Sequence, residues 1–168
     1  VLSARQSGNL AITMESQSTD LVESMASLEE AIVGVGKAGS TDIDVNEFSW
    51  SDDYLVHVPD MDGDHKVIID KIGILVENIN GGDHQDILTS YRDLVNFSVD
   101  HFTREEKFML EIGHKELESH KKIHVDLVNT LTDFDKKLES SADLNICLKL
   151  VSFLYNWLVG HIKGIDNK

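Results

Sequence analysis

Residues 101–124 read HFTREEKFMLEIGHKELESHKKIH and contain two pairs of polar side chains with the same spacing. His101 precedes Glu105 by four residues, and His120 precedes His124 by four. Residues four apart project from the same face of an α-helix, which is the usual way in which a helix presents two ligands to a metal ion. The stretch therefore predicts two helices that each carry a metal-binding face.

The rest of the chain also has a helical pattern. Apolar residues recur at three- and four-residue steps, and the 168-residue sequence contains one proline, so helices are favoured over strands. Breaks at residues 80–83, 113 and 140–141 separate the helical segments. The predicted helices cover residues 62–80, 84–112, 114–139 and 141–163.

The short connections favour antiparallel neighbours. The predicted fold is therefore all-α: an up-down-up-down four-helix bundle with an additional N-terminal helical segment. Asp83 is predicted to cap the second helix, and Ser140 or Ser141 the fourth, because their side-chain oxygens can accept hydrogen bonds from first-turn amides.

The candidate ligands fall at one end of this bundle. Glu105 lies eight residues before Gly113 and His120 seven after it, so a rise of about 1.5 Å per residue places them at nearly equal depth. Asp166 follows His161 by five residues, where the last helix should end and a carboxylate can turn back over the site. The predicted site comprises His65, His101, Glu105, His120, His124, His161 and Asp166.

Five imidazoles and two carboxylates are too many ligands for one ion and suit a pair of iron ions. With one bridging oxygen added, two six-coordinate irons keep a single open position, which a small diatomic ligand requires. A structural zinc site, in contrast, is saturated by protein ligands. The remaining histidines, His57, His84 and His114, lie near segment boundaries and are expected to be structural or surface groups. Glu106 is expected to rotate away from the ligand face that carries Glu105.

The composition excludes other classes of partner. The formal net charge is −15 at pH 7, and the sequence contains no stripe of Lys and Arg, so no nucleic-acid partner is expected. Cys147 is the single cysteine, and neither a signal-peptide pattern nor a long uncharged apolar run is present. These features predict a cytoplasmic location without membrane contact by this segment.

Five motifs occur in the order in which a known family carries them. They are FSW at 48–50, DGDHK at 62–66, HFTREE at 101–106, HKKIH at 120–124, and WLVGH at 157–161 followed by Asp166. On these motifs, residues 46–168 resemble the hemerythrin family, including its bacterial members. One departure is Asp64, because bacterial members commonly carry Gln immediately before the first ligand.

The resemblance implies a complete ligand arrangement. Three histidines would hold one iron and two the other, while two carboxylates and an oxo or hydroxo group would bridge the irons. These three sets are His120, His124 and His161; His65 and His101; and Glu105 and Asp166. Dioxygen would bind at the iron that has two histidines.

Apolar residues beside the ligands have two interpretations. Phe102, Trp157, Leu158 and Ile162 recur at helical spacings, which is typical of core packing. The resemblance implies an additional role, in which they form the oxygen pocket, exclude water and slow oxidation of the site.

Residues 1–45 are predicted to form a helical segment and linker ahead of the domain at 46–168. Apolar positions in this segment, with one polar exception, step by three and four, as in a coiled coil. These positions are Leu10, Met14, Gln17, Leu21, Met25, Leu28, Ile32 and Val35. The segment resembles the end of the signalling hairpin of methyl-accepting chemotaxis proteins, with a glycine-rich hinge at 34–39. The alternative is an extra helix that docks on its own bundle or on a second chain.

Together these features predict reversible dioxygen binding, without enzymatic turnover, for oxygen or redox sensing in a chemotaxis protein. Oxygen-activating di-iron bundles are generally rich in carboxylates and Glu-x-x-His pairs, whereas this site is rich in histidine. The alternatives are oxygen storage or delivery, a di-iron peroxidase or oxidase, and binding of nitric oxide by the reduced irons.

Overall fold

A computed structural model describes residues 43–45 and 48–162 of the chain. A short 3-10 helix at Asp52–Tyr54 precedes four α-helices. The helices are α1 (Pro59–Gly81), α2 (His84–Glu111), α3 (Leu117–Ser140) and α4 (Leu144–His161). The described residues contain no β-strand. The structure confirms the predicted all-α four-helix bundle.

Three predictions concern residues outside the described part of the chain. The N-terminal helical segment and its heptad pattern, residues 1–40, lie there, and so does Asp166. The predicted boundary between the N-terminal segment and the domain, between residues 45 and 46, stays a prediction. Within the described part of the chain, no helix has the length and apolar character needed to cross a membrane.

The four helices form a ring of neighbours. α1 packs against α2, α2 against α3, α3 against α4, and α4 against α1. Each helix contributes fully buried apolar side chains to one core, among them Leu75, Tyr91, Leu138 and Leu150. Burial of one such side chain contributes about 1.5–3 kcal/mol, and this core extends along the bundle up to the candidate ligands.

Left-handed backbone conformations follow the first two helices. The φ angle is 76° at Gly82 and 68° at Gly113, a region that glycine adopts without a steric penalty. After α2, the amide of His114 bonds to the Met109 carbonyl and the amide of Gly113 to the Leu110 carbonyl. This pattern is a Schellman motif, and it reverses the chain so that α3 returns beside α2.

The helix caps differ in part from the prediction. Asp83 accepts hydrogen bonds from first-turn amides of α2, as predicted. The prediction that Ser140 or Ser141 caps α4 is wrong, because Asp143 accepts the first-turn amide instead. Ser140 is the last residue of α3, and the Ser141 amide bonds to the Lys137 carbonyl. Both serines therefore complete the preceding helix.

Three helices begin at other residues than predicted. α4 starts at Leu144 instead of residue 141, directly after its cap residue Asp143. α1 starts at Pro59, three residues early, because the fixed φ of proline suits the first helical position and its missing N–H is not needed there. α3 starts at Leu117 instead of residue 114, because His114 belongs to the turn that ends α2.

An N-terminal arm, residues 43–45 and 48–58, lies along α1. At the last turn of α1, the Asn80 side chain bonds to both the amide and the carbonyl of Ile43 at 2.9 Å. At the first turn, Asp62 accepts a hydrogen bond from the Val56 amide at 2.8 Å. The arm is therefore attached at both ends of the helix that carries His65.

Tyr91 offers a test of how the core is held. Its ring is fully buried, and its hydroxyl donates to the Leu131 carbonyl of α3 at 2.5 Å. Tyr91→Phe should lower the free energy of unfolding by about 1 kcal/mol, since one buried hydrogen bond is lost while the ring remains. Urea denaturation measures this difference.

The matched control for this substitution is Tyr155→Phe. Tyr155 is half-buried, and its hydroxyl makes no hydrogen bond to the described residues. Its substitution should change the free energy of unfolding by less than about 0.5 kcal/mol. Equal losses in the two variants would contradict the role given to the Tyr91 hydroxyl.

Candidate metal centre

The structure gathers six of the seven predicted ligands at one end of the bundle. Every helix contributes at least one of them, and none is more than 5% exposed. They are His65 on α1, His101 and Glu105 on α2, His120 and His124 on α3, and His161 on α4. Such burial of ionisable groups is costly unless they are paired or hold a metal.

Four of these residues form a tight cluster: Glu105, His120, His124 and His161. Their ligand atoms all lie within 4.8 Å of one another. Glu105 Oε2 is 3.1 Å from His120 Nε2 and 3.3 Å from His124 Nε2. His124 Nε2 is also 3.2 Å from His161 Nε2. Nitrogen and oxygen ligand atoms thus converge on one small volume, as a metal ion requires.

His65 and His101 form a second pair beside this cluster. Their ring centroids are 4.8 Å apart, and His101 Nε2 lies 3.9 Å from Glu105 Oε2. Glu105 is therefore close to both groups of histidines. A carboxylate in this position can reach two metal ions at once.

Two outer carboxylates contact the opposite nitrogens of the imidazole rings. Asp64 Oδ2 lies 3.2 Å from His101 Nδ1, and Glu106 Oε1 lies 2.9 Å from His124 Nδ1. An ionised carboxylate can only accept a hydrogen bond, so each Nδ1 carries the proton. In the neutral ring, which is the form that binds a metal, the lone pair is then on Nε2, which faces the cluster.

The role of Glu106 was missed in the sequence. Rotation of Glu106 away from the ligand face of α2 was predicted, but the contact with His124 on the next helix was not. The only signal was the pair of adjacent acids at residues 105 and 106, which is also common on solvated helix faces. The structure also places Asp64, the departure from the family pattern, against a candidate ligand.

The electrostatics of the carboxylates favour their charged forms. Burial alone would raise the pKa of Glu105, but hydrogen bonds from His120 and His124 and the charges of His120 and His101 outweigh it and hold that pKa well below its usual range. Burial likewise opposes ionisation of Asp64, yet Arg104 and His101 lower its pKa. Both groups are therefore anionic near neutral pH.

Four of the candidate histidine ligands have a shifted pKa, three in one direction and one in the other. Burial lowers the pKa of His65 and of His161, and it lowers that of His101 to about 4, with help from the nearby His65. Burial also opposes charge on His124, but Glu105 and Glu106 raise its pKa. Neutral imidazole is the form that binds metal, so at His124 a metal ion competes with a proton.

Aromatic rings cover part of the cluster. Phe102 stacks on His124 with centroids 4.0 Å apart, and Trp157 stacks on His161 at 4.3 Å. Phe102 also lies 5.7 Å from His101 and contacts Trp157 edge to face. The other two predicted pocket residues, Leu158 and Ile162, are buried in the adjoining core.

The remaining histidines of α2 and the following turn have separate roles. His84 Nε2 donates to the Leu138 carbonyl at 2.6 Å, and His114 Nδ1 accepts from the Glu116 amide at 3.3 Å. Neither belongs to the cluster, as expected from their places at segment boundaries.

Known protein families provide a comparison that is independent of this geometry. The family model described as the hemerythrin HHE cation binding domain matches residues 56–168. The chain belongs to the hemerythrin family. Hemerythrins bind a non-haem di-iron centre, and the buried imidazoles and carboxylate of this chain are ligands that suit iron.

Curated hemerythrins align with most of the chain. A bacteriohemerythrin from Pseudomonas paraeruginosa is 29% identical over 117 residues, which is 70% of this chain and 75% of that protein. Myohemerythrins from Riftia pachyptila and Theromyzon tessulatum are each 31% identical over 121 residues, which is 72% of this chain and 89% of each of those proteins.

Glu106 provides a test of the outer contacts. Glu106→Ala should weaken iron retention roughly 10- to 100-fold, as is typical when a metal-bound histidine loses its hydrogen-bond partner. Glu106→Gln should restore part of this loss, because the amide oxygen can still accept from His124 Nδ1. Competition with an iron chelator, followed by metal analysis, measures retention.

Glu111→Ala is the matched control on the same helix. Glu111 is exposed and pairs only weakly with Lys107, at 3.8 Å. Its removal should leave iron retention unchanged. If Glu106→Ala behaved like this control, Glu106 would be an ordinary surface carboxylate.

Proposed function

We propose that this chain binds dioxygen reversibly at a di-iron centre. The ligands are His65, His101, Glu105, His120, His124, His161 and Asp166. The observation that carries this proposal is the convergence of imidazoles on one buried carboxylate, Glu105, with His65 of the remaining helix beside His101. Hemerythrins bind dioxygen, and the composition of this site is that of the family.

The ligands divide between the two irons according to their grouping. His120, His124 and His161 would hold one iron, and His65 and His101 would hold the other. Glu105, which lies close to both groups of histidines, would be shared by the two irons. Asp166, outside the described residues, would be the second shared carboxylate. The iron held by two histidines would have fewer protein ligands and would therefore be the one that binds dioxygen.

The iron pair supplies the electrons that dioxygen binding requires, and the protein controls access to it. Phe102, Trp157, Leu158 and Ile162 keep water away from the site, which slows loss of the reduced state. The site is rich in histidine and poor in carboxylates, unlike the bundles that activate oxygen for oxidation. This composition favours reversible binding over turnover as an oxidase or peroxidase.

The test is an absorption spectrum of the reduced protein before and after exposure to air. A visible charge-transfer band should appear with dioxygen and disappear when dioxygen is removed, and metal analysis should find about two irons per chain. Nitric oxide and peroxide serve as comparison ligands. Turnover of peroxide with a reductant, without a reversible band, would favour an enzyme instead.

His101→Ala should keep the helical circular dichroism spectrum, since the other ligands remain. It should lose about one iron per chain and, with that iron, the reversible band. His84→Ala, a histidine on the same helix outside the cluster, is the matched control and should retain both irons. Normal oxygen binding by His101→Ala would contradict the ligand assignment.

The further part of the proposal is that oxygen binding serves sensing in a cytoplasmic chemotaxis receptor. The heptad pattern of residues 1–40 supports a signalling rod or a coiled-coil contact with a second chain. The N-terminal arm follows that segment in the sequence and is attached beside the site, because Asp62, which holds the arm at Val56, lies one helical turn before His65. A shift of α1 at the iron therefore has a short physical route to residue 43.

This proposal predicts that the ligand state changes the protection of residues 1–42. A ligand shifts a two-state segment only through different affinity for the two states. Hydrogen exchange and limited proteolysis of the reduced, oxidised and oxygen-bound protein should therefore differ in this segment. The distal core around Leu138 should stay unchanged as an internal control. Identical protection of residues 1–42 in all three states would favour oxygen storage or delivery.

A further inference from the structure

A row of three polar side chains connects the candidate ligand His101 to the protein surface. Arg104 Nε lies 2.8 Å from Asp64 Oδ2, and the same oxygen lies 3.2 Å from His101 Nδ1. The exposed fraction of the side chain rises from 1% at His101 to 19% at Asp64 and 46% at Arg104. One carboxylate oxygen is thus shared between a buried imidazole and a partly exposed guanidinium.

Arg104 is held in this position from two sides. It follows His101 by three residues on α2, so both side chains lie on one face of the helix. Its guanidinium also lies over the Phe97 ring, 5.4 Å from the centroid. Arg104 and Asp64 line an open groove between α1 and α2. A substitution of Arg104 therefore changes charge at a solvated surface and creates no cavity in the core.

The two outer carboxylates of the site differ in this respect. Glu106 contacts His124, and among the described residues it has no other basic partner. Asp64 has both His101 and Arg104. Among the described residues, only the outer carboxylate beside the His65 and His101 group is therefore paired with an arginine. This is the group proposed to bind dioxygen.

We propose that Arg104 is a positioning residue that moderates, through Asp64, how strongly His101 donates electrons to its iron. This inference rests on the proposed di-iron function. A carboxylate that accepts the Nδ1 proton makes an imidazole a stronger metal ligand. The positive charge of Arg104 on the same oxygen reduces this effect. Arg104 thereby favours the reduced iron that binds dioxygen and slows its oxidation.

The proposal predicts opposite effects for the two members of the pair. Arg104→Gln leaves Asp64 fully available to His101, so the midpoint potential should fall and air oxidation of the reduced protein should accelerate. An acceleration of about threefold is expected, because substitution of a direct histidine partner typically costs roughly 10- to 100-fold and this effect is indirect. Asp64→Asn should raise the potential and slow oxidation. Arg104→Lys, which keeps the charge, should lie near the wild type.

The decisive measurement is a double-mutant cycle on the iron-loaded protein. If Arg104 acts through Asp64, Arg104→Gln in the Asp64→Asn background should shift the midpoint potential by less than half of its shift in the wild type. Additive shifts would mean that Arg104 acts through space as a simple charge, and would overturn the proposal. Shifts of the same sign in the two single variants would also overturn it.

Arg92→Gln is the matched control. Arg92 lies on the same helix, is similarly exposed, and pairs with Asp135 and Glu139 instead of with the site. Its position is about 18 Å along the helix from Arg104, so it should leave the potential unchanged. An equal shift in Arg92→Gln would contradict the role of Arg104.

Iron content and the reversible band of the wild type distinguish a failure of the proposed function from a failure of this inference alone. A wild-type protein without about two irons and a reversible band would contradict the proposed function, and this inference with it. A wild-type protein that has both, but whose potential does not respond to Arg104→Gln, would overturn this inference alone. Circular dichroism of every variant verifies that the bundle is retained.

Discussion

Glu105 is a carboxylate in the interior of a helical bundle, and the arrangement of the helices depends on its contacts. Removing an ionised group from water is costly unless charges and hydrogen bonds compensate. His120 and His124 supply this compensation from the neighbouring helix at 3.1 and 3.3 Å. The register of α2 against α3 must bring these atoms together. His65 on α1 and His161 on α4 reach the site from the helices that pack on this pair.

The apolar part of the bundle makes such a polar end possible. Residues such as Leu75, Leu138 and Leu150 are fully buried and hold the four helices together. Their burial contributes stability that does not depend on a metal. The polar end can therefore be arranged for ligand geometry, with rigid helices supporting each imidazole. Gly82 and Gly113 adopt left-handed conformations in the short turns that reverse the chain after α1 and α2.

The outer contacts give the two groups of histidines different surroundings. Within the described part of the chain, Glu106 contacts only His124, whereas Asp64 contacts His101 and is itself held by Arg104. Because such partners fix which imidazole nitrogen carries the proton, they orient the ligands as well as tuning them. The N-terminal arm adds a mechanical connection at Asp62, one turn before His65. The arm and the candidate ligand His65 are thus connected through one turn of α1.

The spacing in the sequence was sufficient to predict the helices, their order and the end of the bundle where the ligands meet. The pairs at 101 and 105 and at 120 and 124 define helix faces, because a helix has one period. Spacing does not define how neighbouring helices rotate against each other. The contacts of Glu106 with His124 and of Arg104 with Asp64 therefore emerged only from the tertiary structure. The cap of α4 was also decided there. Ser140 and Asp143 are equally suitable cap residues by type, but α3 continues through Ser140, and Asp143 caps α4.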